Sequence, residues 1–173
     1  MKRALVLFLL LAATAVLAQE KNPVTSAVKE ILPRQQKNLV AAVDAMPADK
    51  FEYKPTEQQM TFGHLVLHII EANNHFCSKI GDLPEVKPPV PVKESDGKDK
   101  LMPALKASFE FCSTALGKID DSKLGDEVEL FGRKGSRAFA LIAVTNSWAD
   151  HYSSAAMYLR LNGLLPPTAQ PKK

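Results

Sequence analysis

Only two cysteines occur in the 173 residues, Cys77 and Cys112, too few for a disulfide framework and without metal-type spacing. Strong charge of either sign is also lacking. The full chain carries +3, but Lys2 and Arg3 belong to an N-terminal segment built like a secretory signal, and losing these two positives leaves +1. A nearly balanced domain has no electrostatic footprint for nucleic acid, which excludes that partner. There is no Gly-x-Ser-x-Gly elbow, no phosphate loop and no Cys–His pairing in a catalytic context, so no catalytic residue is identified by motif. Gly132-Arg133-Lys134-Gly135-Ser136 is at most a weak anion-site candidate. No internal repeat is found, and no alternating apolar pattern is long enough for a sheet.

What is present begins with the export signal. Lys2 and Arg3 form its positive end, Ala4 to Ala15 its apolar stretch, and Val16-Leu17-Ala18 its cleavage site, which assigns residues 1–18 to a signal peptide. The apolar run is shorter than the roughly 20 residues of a membrane span. No cysteine follows the cut before Gln19, so no lipid anchor is expected, and after cleavage the chain has no stable membrane anchor. An uncleaved N-terminal anchor is the alternative. The expected location is exported, periplasmic or extracellular. In that oxidising compartment Cys77 and Cys112 are expected to pair rather than remain two buried thiols. Closing such a loop stabilises by roughly 3–4 kcal/mol in the chain-entropy model. Both cysteines fall near the C-terminal ends of their helices, so the pair requires helices two and three to run parallel.

The mature chain, about 155 residues, suits one domain with a real core. The first helix opens at Asn22-Pro23, a cap residue followed by proline at the first helical position, and runs to about Ala45 with a kink expected at Pro33. Phe51 and Tyr53 anchor the connector that follows. Thr61 caps a second helix over residues 62–80, terminated by Gly81. Four prolines between residues 81 and 98 mark an extended crossover. A third helix spans about Asp99 to Lys118, its start blurred by Pro103, and a fourth about Ala138 to Asn162, with an extended piece allowed at Glu127 to Phe131. The fold class is all-α, a four-helix bundle with a long crossover between helices two and three. The bundle is placed at residues 19–165 and a flexible Pro/Lys tail at 166–173.

Three of the four histidines, His64, His68 and His75, lie on helix two. Its apolar stripe is Phe62, Leu65, Val66, Ile69, Phe76, Cys77 and Ile80, and the histidines occupy a different face. His64 and His68, four apart, are neighbours that could share a metal; the alternative is a solvated polar face with Glu71 and Lys79. On helix four, Leu141, Val144, Trp148, Tyr152, Ala155 and Leu159 mark the core. His151 flanks that stripe, one turn from Ser147, where it could line a groove or simply bond a neighbouring carbonyl. His68-Ile69-Ile70-Glu71 has di-iron spacing, but no second such motif exists.

Several segments together resemble the DinB/YfiT-like family. Thr61-Phe62-Gly63-His64-Leu65-Val66-Leu67-His68-Ile69 is similar to its second-helix segment, and Met46-Pro47-Ala48-Asp49-Lys50-Phe51 with Tyr53-Lys54-Pro55-Thr56 to its lead-in. His151-Tyr152, Tyr158-Leu159-Arg160-Leu161-Asn162-Gly163 and Pro166-Pro167 are similar to its last helix and exit. The resemblance covers essentially the whole mature chain. It implies a divalent metal, zinc or nickel, held by three histidines, one from helix two and two from helix four. Carried onto this chain the positions are His68, Ser147 and His151. Serine therefore replaces the middle ligand, and a neutral hydroxyl is a poor ligand beside imidazole. His64, one turn from His68, is the possible substitute.

Two functions of different class follow. The first is a degenerate metal-dependent enzyme, with His68 and His151 as ligands and His64 or Ser147 as additional ones. Relatives include hydrolases and thiol-dependent transferases, and export disfavours the latter because small thiol cofactors are cytoplasmic. The second is a non-catalytic bundle that binds a small molecule or partner, with the same residues as hydrogen-bonding walls. A homodimer through an exposed helix face is a third expectation.

Overall fold

The computed structural model describes residues 21–85 and 92–171. The signal-peptide assignment therefore lies outside the described residues, as does the middle of the crossover. Four helices carry the fold: α1 Pro23–Ala45, α2 Phe62–Gly81, α3 Lys98–Gly117 and α4 Arg137–Leu161. Among the described residues no helix is long and apolar enough to cross a membrane.

The stripe read from the sequence of α2 is buried at every position, from Phe62 through Ile80. On α4, Leu141, Val144, Trp148, Ala155 and Leu159 are buried as expected. Tyr152 is only half-buried, because its hydroxyl serves the end of the chain. It donates to Thr168 Oγ1 (2.8 Å) and accepts from the Thr168 N–H (3.0 Å). Thr168, in the tail expected to be flexible, is thus bonded to α4 from a 3-10 turn over Pro167–Ala169.

Helices α2 and α3 run parallel. Asn73 Nδ2 donates to Ser108 Oγ (3.0 Å), and further on Cys77 and Cys112 meet at disulfide distance, their Cα atoms 5.0 Å apart. Further on again, Gly81 abuts Ala115, where a Cβ built on the glycine would stand 2.8 Å from the alanine's Cα. Helix α4 runs antiparallel to α2, as the Phe62–Tyr158 ring contact at one end and the bonds from Arg137 to the carbonyls of Lys79 and Ile80 at the other require. The parallel pair is what a long crossover makes possible. Trp148 closes the centre by donating its indole N–H to Asn73 Oδ1 (2.7 Å), so one buried amide links α2, α3 and α4.

Several element ends depart from expectation. Thr61 caps α2 as expected, accepting from the His64 N–H (3.1 Å). Gly81, however, lies inside α2, and the left-handed residue after it is Asp82 (φ 50°). Glycine is needed at position 81 for helix contact and not for chain reversal. Asn22 makes no side-chain cap on α1. Asp121, from the loop after α3, accepts instead from the N–H groups of Val24 (3.0 Å) and Thr25 (2.8 Å), and Asn22 Oδ1 accepts from the Asp121 N–H. Partial burial opposes ionisation of Asp121, but these donors, with Lys29, hold its carboxyl below the ordinary aspartate value. Helix α1 passes through Pro33 without interruption.

The all-α reading holds, with one small sheet beside the helices. The extended piece at Glu127 to Phe131 is half of an antiparallel hairpin, β1 Glu127–Leu130 paired with β2 Arg133–Ser136. Its two-residue turn, Phe131-Gly132, has φ 51° and 75°. Positive φ at both positions suits the right-handed twist of hairpin strands, but a phenylalanine there costs about 1–2 kcal/mol.

Candidate functional site

The antiparallel crossing of α2 and α4 sets His68 against His151, with ring centroids 5.0 Å apart and planes at 85°. One turn before His151, Ser147 Oγ lies 3.3 Å from His151 Nδ1. Which atom donates depends on the imidazole tautomer. His68 is exposed, whereas His151 beneath it is buried. Burial first, and the neighbouring His68 second, push the His151 imidazole down to about 4, against a smaller opposing pull from Asp150. At neutral pH His151 is therefore uncharged, with one N–H to give and one lone pair to receive.

The other two α2 histidines have different partners. His64 Nδ1 sits 2.6 Å from Glu94 Oε2, across the end of the crossover. Beside it Gly63 admits that strand of chain, since a Cβ there would stand 2.6 Å from the Glu94 carbonyl oxygen. His75 stacks on Phe131 at 4.3 Å, and its Nε2 accepts from the Phe131 N–H at 3.4 Å. So the shared histidine face of α2 resolves into three separate environments. Among the described residues no three of His, Cys, Asp or Glu converge as a metal-holding group. The set around His151 is two imidazoles and one hydroxyl. That is one good ligand short of the three protein ligands of a catalytic zinc site.

Among the buried polar residues that were not anticipated, Arg137 and Asn73 bridge helices. Arg137 is 2% exposed; its guanidinium reaches the Lys79 and Ile80 carbonyls at the end of α2 and pairs with Asp82 (2.8 Å) and Asp126 (3.6 Å). A cation at a helix C-terminus meets the negative end of the helix dipole, but nothing in the local sequence around Arg137 announces that partner. Asn73 was legible in principle, as a polar residue among the apolar positions of α2.

The sequence profile of the DinB superfamily matches residues 31–152, from α1 to just beyond His151. The chain belongs to the DinB superfamily. Two solved DinB-like proteins share the fold. YjoA from Bacillus subtilis has a TM-score of 0.66 at 20% identity, the match covering 84% of this chain and 99% of that one. A DinB-like protein from Bacillus cereus ATCC 10987 has a TM-score of 0.65 at 18% identity, covering 77% and 89%. No curated protein matches this chain. At these identities the likeness establishes the DinB fold and carries no activity with it. Of the positions expected from the DinB resemblance, His68 and Ser147 each lie against His151, whereas His64 is paired with Glu94.

Proposed function

We propose that this DinB-superfamily protein is exported and binds a small molecule in the groove between α2 and α4, with His68, Ser147 and His151 as its polar wall. The observation that carries the reading is the Ser147–His151 contact. By the DinB resemblance this hydroxyl stands in for a third imidazole, and it lies 3.3 Å from His151 Nδ1. An uncharged His151 beside a hydroxyl offers donors and acceptors to a neutral polar ligand. His151 is itself buried, and in such surroundings hydrogen bonds discriminate most strongly.

A second reading is a degenerate metal-dependent hydrolase. Its support is that the fold brings His68 and His151 together from different helices. In that case these two imidazoles would hold zinc or nickel with water completing the shell, and the ion would polarise a substrate or activate water. Metal analysis of the purified mature protein decides between them. Metal-free protein whose melting temperature is unmoved by added zinc is the expected result. Stoichiometric zinc or nickel, lost in both His68→Ala and His151→Ala, would overturn the binding reading. Export is checked on the same preparation by mass, which should place the mature N-terminus at Gln19.

A further inference from the structure

A cavity of about 750 Å³ opens where the hairpin meets α2 and α4, a size within the usual range of small-molecule sites. Its apolar walls include Phe76, Phe131, Phe139 and Ala143, and Arg133 and Lys134 from β2 line it as well. It is distinct from the His68–His151 contact, although Ala143 precedes Ser147 by one helical turn.

Three observations point to a ligand. Phe131 and Phe139 remain 67% and 60% exposed at the cavity, so much of both rings is left uncovered by the described residues. Phe131 also holds a left-handed backbone that suits asparagine or glycine better. It is fixed there by His75, through stacking at 4.3 Å and the bond from its N–H, and by an edge contact with Phe76 at 5.4 Å. Strain of this kind, enforced by neighbours and spent on presenting an exposed side chain, is characteristic of binding sites. The charge is the third observation. Lys134 is neutralised by Glu127 at 2.7 Å, whereas no carboxylate among the described residues pairs with Arg133. The cavity therefore couples an aromatic lining to one uncompensated cation.

We propose that the cavity bounded by Phe76, Phe131, Phe139 and Arg133 binds an amphipathic monoanion, a carboxylate with an apolar tail. The tail lies among the phenylalanine rings and the carboxylate faces the Arg133 guanidinium, whose planar fork matches it. A cationic head would meet Arg133 and be repelled. The proposal does not depend on what the His68–His151 groove does.

Calorimetric titration of the disulfide-intact protein with octanoate, octanol and octyltrimethylammonium tests it. Octanoate should bind saturably at one per chain, octanol more weakly, and the cation not at all. Arg133→Gln, at an exposed position, should weaken octanoate about ten-fold and leave octanol unchanged. Phe139→Ser should weaken both, and His68→Ala should weaken neither. The proposal fails if the cation binds as tightly as octanoate, or if Arg133→Gln leaves octanoate unchanged. It also fails if His68→Ala weakens octanoate more than Arg133→Gln does. Co-sedimentation with anionic phospholipid vesicles, with no saturable heat from octanoate, would overturn it in favour of a membrane-docking patch.

Discussion

At the scale of single residues, His151 ties stability to pH. Its folded pKa, about 4, lies below the ordinary value of 6.5, so the unfolded chain binds the extra proton between those limits. Stability is then full above about pH 6.5 and is lost as pH falls toward 4. With allowance for partial solvent access, the loss from this one group is of order 2 kcal/mol. His151→Gln, which keeps hydrogen-bonding capacity but cannot titrate, should flatten that part of the profile when urea midpoints are compared between pH 7 and 4. An equally steep loss in the variant would show that other groups govern acid sensitivity.

At the scale of elements, Gly81 sets two effects against each other. Alanine there would gain about 1 kcal/mol of helix propensity. The added Cβ would, however, stand 2.8 Å from both Cα and Cβ of Ala115, so α2 and α3 must separate. Overpacking of that kind costs about 1–3 kcal/mol, and Gly81→Ala should lower the thermal midpoint. A raised midpoint would mean that the helices part easily. The same residue shows how far sequence reading reached. Periodicity placed all seven stripe residues of α2 correctly but left out buried Ile70 and Asn73, because burial follows a 3.6-residue repeat only until neighbours widen it. It misassigned Gly81, because a glycine near a helix end is a local signal for reversal while its use here is set by α3. The cap on α1 was illegible for the same reason, Asp121 being distant in sequence from Val24 and Thr25. The extended piece at Glu127 to Phe131 was legible, but its partner strand was not, because each strand is four residues long and the turn lacks asparagine or aspartate. At the site, periodicity placed His68 on a face away from the apolar stripe and His151 on a stripe flank. Their meeting followed from the DinB resemblance, and the separate partners of His64 and His75 followed from neither.

At the scale of the whole molecule, Cys77 and Cys112 join the two helices that the crossover separates. Replacing both by alanine should cost roughly 3 kcal/mol of unfolding free energy, and reducing the native protein should produce a similar loss. A reduced protein as stable as the oxidised one would show that core packing alone holds α2 against α3. The bond has another consequence, for wear rather than folding. Any cut in the chain between these two cysteines leaves both fragments covalently joined, with α2 and α3 still side by side. On the proposed export, where proteases are met, a molecule cut once between these cysteines would remain in one piece.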